Sequence, residues 1–215
     1  MMEEKPSGIQ NYTSGLFKEL IKKKNLKFVF FSTGHHKLQA DTQHFSSNSW
    51  FIKSLRKIDP RLANIFFDNF DILRFIKKYK INVFVSPSFI LPFFKPIGVK
   101  FITVIHDLSF LTYKHNPFRI YMNLVMYMKV LMPFIVKRAD AIVVDSYFVK
   151  KELEKVYRVE SKKIEVIYPG SDDFFYPNKN ETAFLELIKK YHIQKKFIFT
   201  TATNHERKNI FGLVD

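Results

Sequence analysis

Polar side chains stand directly after several short apolar runs of this sequence, and they include the residue types with which a binding or catalytic site could be built. His106 and Asp107 follow one apolar run, Ser86 follows a second, and Ser146 lies two residues after a third. Ligands of open parallel sheets bind beyond the carboxyl ends of the strands, so this pattern indicates a site at one edge of a sheet. Taken singly, Ser86 and Ser146 could equally be helix caps or turn residues, and His106 could be a hydrogen-bonded turn histidine.

Two further features, one near each end of the chain, have the chemistry of a phosphate site. Ser7 and Gly8 lead directly into a predicted helix, and the free backbone N–H groups of a helix N-terminus bind phosphate. Arg207 and Lys208 stand between an apolar run at 197–201, which predicts a strand, and a predicted helix that follows them. Two cations directed at a helix start suit a diphosphate, so Gly8, Arg207 and Lys208 are candidate phosphate ligands, and Ser7 could line the site.

Short apolar runs of about five residues recur along the chain, and they supply the strands that this site needs. Each is rich in β-branched or aromatic residues and is bounded by polar residues, Pro or Gly, which is typical of a buried parallel strand. The runs in the first four fifths of the chain are 27–31, 81–85, 101–105, 141–144 and 164–168.

Helical patterns lie between these runs. The clearest is at 62–79, where Phe66, Phe70, Leu73 and Ile76 recur at a spacing of three to four residues, opposite charged side chains. Three more helices are predicted: one marked by Tyr12, Leu16 and Leu20, one opening at Asn116 and Pro117, and one capped by Ser146 that runs through Leu153. The alternation of strands and helices predicts an α/β fold with a Rossmann-like, doubly wound parallel sheet.

The composition of the 215-residue chain, 47% of it hydrophobic, is that of a globular protein of about one or two domains. With no cysteine, the chain has no disulfide framework, thiolate metal site or cysteine nucleophile. The 35 Lys and Arg against 20 Asp and Glu give a net charge of +15, which attracts nucleic acid or an anionic membrane. An AT-rich coding sequence would also enrich lysine, so the charge alone does not decide between partners.

Five segments, taken in order and spacing, carry a resemblance to a known family. They read SGIQNYTSGLFKEL at 7–20, FITVIHDLSFL at 101–111, RADAIVVDSYFVKKEL at 138–153, KIEVIYPGSDDFFYP at 163–177 and FIFTTATNHERKNIFGL at 197–213. Together they resemble family 4 of the retaining glycosyltransferases, enzymes of the two-domain GT-B fold that transfer a sugar from a nucleotide-sugar donor. The resemblance covers most of the chain apart from about residues 33–61.

The resemblance implies roles for individual residues. His106 matches a histidine that contacts the transferred sugar, and Asp107 is its usual neighbour, so both are candidate catalytic residues. Gly8 matches a glycine near the donor phosphate, and Arg207 with Lys208 matches the basic pair that neutralises the departing diphosphate. Such charge compensation is a main source of catalysis when the leaving group is a nucleoside diphosphate. The family implies no metal and no cofactor beyond the nucleotide-sugar donor.

The resemblance also implies how the chain is divided. Residues 1–168 are expected to form the acceptor-side GT-B domain, 169–177 the interdomain linker, and 178–215 the start of a second, donor-binding Rossmann-like domain. Family members have a strand before the glycine loop, which the six residues ahead of Ser7 do not provide, so we expect a gap in the centre of the sheet. The expectation is a chain truncated at both ends, which alone transfers sugar weakly or not at all.

The sequence thus predicts a hexosyltransferase of polysaccharide biosynthesis that transfers a sugar, with mannose as the first candidate, to a glycan or lipid-linked acceptor with retention. The expected location is the cytoplasm or the inner face of the membrane, and a second chain could supply the donor domain. Two alternatives stay open: a basic module that binds an anionic membrane surface, and a non-catalytic remnant whose interrupted sheet unfolds at low temperature. Specific nucleic-acid binding is not expected, because no helix-turn-helix, zinc finger or aromatic RNA platform is visible.

Overall fold

The computed structural model describes residues 8–32, 43–46, 54, 57, 67–112, 120–171, 180–194, 196–200 and 208–214. The chain divides into two compact units, Met1–Gly170 and Ser171–Asp215. Every strand of the described residues belongs to the first unit. Two of the candidate site residues, Ser7 and Arg207, lie outside the described residues.

Six parallel strands form two separate sheets in the first unit. One sheet pairs β1 with β2, and the other has the order β3-β4-β5-β6. The strands are β1 Val29–Ser32, β2 Gln43–Ser46, β3 Val83–Ser86, β4 Lys100–Ile105, β5 Ala141–Val144 and β6 Ile164–Val166. Five of them confirm the strands predicted from apolar runs, whereas β2 was missed because its sequence, QHFS, contains a single apolar residue.

Helices separate most of these strands, as the alternating pattern predicted. In the first unit they are α1 Gly8–Leu20, α2 Ile72–Lys78, α3 Ser109–Thr112, α4 Ile120–Arg138 and α5 Tyr147–Tyr157, and in the second α6 Glu181–Lys190 and α7 Phe211–Val214. The mixed α/β fold with a parallel four-stranded sheet confirms the predicted Rossmann-like class. None of the helices within the described ranges has the length and apolar character needed to cross a membrane.

The core of the first unit lies between the four-stranded sheet and its helices. Phe101 of β4 and Ile142 of β5 are fully shielded from solvent, and they belong to one buried cluster with Met132 of α4 and Leu153 of α5. Strands with side chains buried on both faces are expected where helices cover both faces of a parallel sheet. This packing fixes the carboxyl ends of β3, β4 and β5 relative to one another.

The apolar face predicted for the helix at 62–79 is wrong in its first half. Residues Phe67–Asp71 form a π-helical turn before α2, and this wider turn breaks the 3.6-residue period on which the prediction rested. Phe70 is therefore 54% exposed, whereas Asp71, one of the charged residues predicted to lie opposite it, is buried, as is Asn69. The side-chain oxygen of Asn69 accepts a hydrogen bond from the backbone N–H of Phe93 at 2.6 Å. Residues 62–66 lie outside the described residues.

The predicted cap of the helix after β5 is confirmed. The hydroxyl oxygen of Ser146 accepts a hydrogen bond from the backbone N–H of Val149 at 3.3 Å, which satisfies one free donor of the first turn of α5. The helix runs past the predicted Leu153 to Tyr157 and ends where Arg158 adopts a left-handed conformation with φ of 52°. Ser146 therefore has the structural role that the sequence left open.

Asp140 joins β4 to β5 at the end of the sheet opposite to the candidate site. Its Oδ2 accepts hydrogen bonds from the Phe101 backbone N–H at 2.7 Å and from Lys95 Nζ at 2.5 Å, and Lys100 Nζ lies 3.4 Å from Oδ1. The Asp140 backbone N–H donates in return to the Phe101 carbonyl at 2.7 Å. This two-way contact extends the β4–β5 register by one residue pair beyond Ile102 and Ala141.

The second unit contains α6 and α7. Asn180 caps α6 by accepting a hydrogen bond from the Ala183 backbone N–H at 3.1 Å. The strand predicted at 197–201 is wrong where the structure describes it, because residues 196–200 form no strand. Ile198 and Phe199 are 83% and 79% exposed, so this apolar run lacks the burial that normally stabilises a parallel strand.

Candidate functional site

The candidate site lies at the carboxyl edge of the four-stranded sheet, where β3, β4 and β5 end side by side. Pro87 follows β3, His106 follows β4 and Asp145 follows β5. Because Ile105 is paired with Val144, His106 and Asp145 are the next residues in the register of two neighbouring strands. Their side chains are therefore brought together by the sheet itself, and not by a flexible loop.

Both ring nitrogens of His106 contact oxygen atoms of the protein. Nδ1 lies 2.7 Å from Oδ2 of Asp145, and Nε2 lies 3.0 Å from the carbonyl oxygen of Pro87. The side chains of His106 and Asp145 retain only 18% and 22% of their exposure, so the pair is sheltered yet accessible from the sheet edge. The ring thus lies between two hydrogen-bond acceptors, one at each nitrogen.

Tyr12 of α1 contacts the ring of His106 from a third direction, beside the contacts with Asp145 and Pro87. Its ring stands nearly perpendicular to the imidazole of His106, at an interplanar angle of 83° and a centroid distance of 4.7 Å. Partial burial, and to a smaller extent the negative charge of Asp145, raise the pKa of the Tyr12 phenol above its usual value. The phenol therefore stays neutral at physiological pH and offers a hydroxyl beside the His106–Asp145 pair.

The second carboxylate oxygen of Asp145 has an unusual environment. Oδ1 is buried and has no hydrogen-bond partner among the residues that the structure describes. Burying a carboxylate oxygen without a hydrogen-bond partner costs free energy. The contact of Oδ2 with His106 offsets part of the cost of burying this side chain. The sequence places Asp145 directly after the apolar run at 141–144, as it places His106 after the run at 101–105, so both were expected among the polar residues at the strand ends. Their contact was not predicted, because it depends on the pairing of β4 with β5.

Comparison with known proteins decides the family. The model of Glycosyltransferase Family 4 matches residues 6–173, which is more than three quarters of the chain. The chain belongs to glycosyltransferase family 4. The matched residues include all of β3 to β6. His106 and its contacts Asp145, Pro87 and Tyr12 therefore lie inside the family domain.

The fold comparison agrees with this membership in family 4. A crystal structure of a glycosyltransferase from Rickettsia africae ESF-5 matches with a TM-score of 0.50 at 19% sequence identity, covering 88% of this chain and 47% of that one. The chain thus spans about half the length of that structure, and at this identity the likeness shows the fold alone. No match was found among curated proteins.

The structure also describes three further candidate residues: Gly8, Asp107 and Lys208. Gly8 is the first residue of α1, and the space where a Cβ would stand is open. Asp107 lies two residues before α3, and its Oδ1 accepts hydrogen bonds from the Ser109 backbone N–H at 3.1 Å and from the Ser109 hydroxyl at 2.7 Å. Lys208 belongs to the second unit, where it is exposed.

Ser86 is buried at the end of β3 and shapes the turn that carries Pro87. Its hydroxyl donates to the carbonyl oxygen of Ser88 at 2.7 Å, and the hydroxyl of Thr103 on β4 donates to the same oxygen at 2.8 Å. These two bonds fix the 86–88 turn against β4, which places the Pro87 carbonyl beside His106. In this family 4 domain, Ser86 therefore contributes to the site through the turn.

Proposed function

We propose that this chain takes part in the transfer of a sugar, with mannose as the first candidate, from a nucleotide-sugar donor to a glycan or lipid-linked acceptor with retention. The observation that carries the proposal is the placement of His106 at the carboxyl edge of the sheet, inside the family 4 match and in contact with Tyr12 of α1, the helix that begins at Gly8. This edge is where ligands of open parallel sheets bind. The activity would belong to polysaccharide biosynthesis at or near the inner face of the membrane.

The proposed roles follow from charge and hydrogen bonding. His106 would contact the transferred sugar, and the N-terminus of α1 at Gly8 would face the donor phosphate, which backbone N–H groups and the helix dipole stabilise. Arg207 and Lys208 would neutralise the diphosphate as the glycosidic bond breaks, so that negative charge developing on the leaving group is compensated. No metal is needed in this scheme, because the two cations supply that compensation.

A sugar that binds His106 would replace one of the two oxygen atoms that contact its ring. Nε2 faces the carbonyl oxygen of Pro87 at 3.0 Å. A sugar hydroxyl can both donate and accept a hydrogen bond, so it can replace this carbonyl as the partner of Nε2. The contact of Nδ1 with Asp145 is on the other side of the ring and is unaffected by the exchange.

We expect the His106→Ala variant to bind GDP-mannose and UDP-glucose at least roughly tenfold more weakly than the wild type, because it loses a hydrogen bond to the sugar. Affinities are measured by titration of the full 215-residue chain, with the same donors tested for sugar transfer and with EDTA added to test for a metal. His192→Asn, at an exposed histidine after α6, is the matched control. Equal affinity of the His106→Ala variant, or no binding of either donor by the wild type, would contradict the proposal.

A second candidate function, docking on an anionic membrane, is favoured by an exposed turn between β3 and β4. Phe94 is 68% exposed and Ile97 is fully exposed, on a turn that Gly98 closes with φ of 79°. Lys95 and Lys100 share the single carboxylate of Asp140, so the neighbourhood has excess positive charge. Exposed apolar side chains beside lysines are what an anionic lipid surface binds.

We expect the chain to sediment with vesicles of phosphatidylcholine and phosphatidylglycerol, and less so as salt is raised, because screening weakens attraction to the lipid charge. The Phe94→Ser, Ile97→Ser double variant should lose at least roughly tenfold in affinity, since two apolar side chains no longer enter the interface. Phe148→Ser, at a position 70% exposed on α5, is the matched control. Equal binding of both variants, or equal affinity for duplex DNA, would indicate attraction by bulk charge instead.

A further inference from the structure

We propose that Asp145 is a positioning residue for His106 that fixes which ring nitrogen carries the proton, an inference that rests on the proposed role of His106 at the sugar. Nδ1 of His106 faces a carboxylate oxygen at 2.7 Å, and Nε2 faces a carbonyl oxygen at 3.0 Å. Neither oxygen can donate a hydrogen bond, so each contact is a hydrogen bond only when the nitrogen on that side carries a proton.

The neutral ring has one N–H group and must choose between these two acceptors. A hydrogen bond to a charged carboxylate is roughly twice as strong as one to a neutral carbonyl, so the proton stays on Nδ1, facing Asp145. The opposite tautomer would place the lone pair of Nδ1 against the carboxylate and leave both Asp145 oxygens without a donor, because Oδ1 already has none among the described residues. Asp145 therefore holds the proton on Nδ1 in both charge states of the ring.

This assignment makes Nε2 the nitrogen that serves the substrate. In the neutral ring, the lone pair of Nε2 points at the Pro87 carbonyl, which is an unfavourable contact that a sugar hydroxyl would relieve by donating to Nε2. In the protonated ring, Nε2–H donates to the carbonyl or to the sugar. Tyr12 limits the ring from a third direction with its own ring at 4.7 Å, so rotation is restricted while the partner of Nε2 changes.

The neighbouring carboxylate has a different contact. Asp107, next to His106 in the chain, uses Oδ1 to accept from the backbone N–H and the hydroxyl of Ser109. Among the described residues, the Asp145 carboxylate, the Pro87 carbonyl and the Tyr12 ring contact the His106 ring. Of these, Asp145 is the one whose replacement by asparagine changes the hydrogen bonding of Nδ1 without changing its shape.

The test is the tautomer of His106 in the full chain, read from long-range proton–nitrogen NMR spectra at about pH 9, where histidine is ordinarily neutral. We expect the proton on Nδ1 in the wild type. In Asp145→Asn the side-chain amide can donate to Nδ1, and Nε2–H can then donate to Pro87, so the proton should move to Nε2; a wrong tautomer is the known cost of such a substitution in a catalytic Asp–His pair. Glu165→Gln, an acid-to-amide change at an exposed position of β6, should leave the spectrum unchanged.

Two results would overturn the proposal: a wild-type ring with its proton on Nε2, or an Asp145→Asn ring with its proton still on Nδ1. If the variant does not fold, the wild-type spectrum decides alone. The tautomer is recorded without donor, so its outcome is independent of the proposed sugar transfer. Where donor binding is measurable, Asp145→Asn should weaken it roughly tenfold and Asp145→Glu, which keeps the carboxylate, should recover part of that loss.

Discussion

The Phe101→Ala variant is expected to lose about 3–5 kcal/mol of unfolding free energy, because truncating a buried phenylalanine removes its burial and leaves a cavity. Phe101 lies on β4 in the middle of the core and has no exposed surface. Its ring packs edge to face against Phe84 of β3 at 5.6 Å, and Lys95 Nζ lies 5.8 Å from its centre. The side chain thus joins two strands at once, so little of the cavity can close.

The matched control is Phe94→Ala, which removes the same atoms from a position that is 68% exposed. Surface substitutions of this kind usually change stability by about 0.5 kcal/mol or less. Urea unfolding followed by circular dichroism gives both values. Since small domains have only about 5–15 kcal/mol of stability, Phe101→Leu provides a milder variant that stays folded. Equal losses at positions 101 and 94 would mean that β4 is not the centre of the core.

The strands of the four-stranded sheet were predictable because short, largely apolar and β-branched runs leave a simple signal. Short runs such as 141–144 contain only apolar residues, and the structure places a strand on the same four. Where apolar residues and strand burial do not coincide, prediction from the sequence fails in two ways: a strand is missed, or one is predicted that does not form. The polar strand β2 gave no signal, and the apolar run at 197–201 gave a false one, because an apolar run becomes a strand only where neighbouring strands and helices cover it.

The helical segment before β3 shows a second limit of prediction, which concerns the faces of a helix. Its residues were correctly placed in a helical segment, but the π-helical turn at Phe67–Asp71 contains an extra residue per turn and shifts the faces. Asn69 is buried in consequence, and its side chain binds the backbone of Phe93 across 24 residues of sequence. Periodicity assumes a regular helix, so it cannot foresee a turn that depends on such a distant hydrogen bond.

The position of His106 at the carboxyl edge of the sheet could be predicted from the sequence, but its contact with Asp145 could not. The position of His106 follows from the rule that ligands bind at the carboxyl ends of strands, and family membership strengthens that expectation. Asp145 was placed among the polar residues at the strand ends, but its contact with His106 was not predicted. That contact comes from the pairing of β4 with β5, which brings two residues 39 positions apart within 2.7 Å.

The Asp140→Ala variant is expected to lose about 2–3 kcal/mol, since it leaves the Phe101 backbone N–H and the Lys95 ammonium without their acceptor in a partly buried position. Asp140→Asn keeps an oxygen for the Phe101 N–H and loses only the charge, so its loss should be about 1 kcal/mol. Glu160→Gln is the control, because that carboxylate pairs with Lys162 on the surface, where such pairs contribute little.

The effect of Asp140 should also depend on pH. Burial by itself would raise the pKa of Asp140, but hydrogen bonds from Lys95, from the Phe101 N–H and from Lys100 outweigh it, and the net pKa is lowered. A carboxyl group whose pKa is lower in the folded state contributes stability above its unfolded pKa of about 3.9 and loses it as the pH falls through the folded value. The stability difference between wild type and Asp140→Asn should therefore be constant from neutral pH to about pH 5 and shrink below it. A difference that persists undiminished in acid would show that the charge of Asp140 does not contribute, and that its hydrogen bond to β4 acts alone.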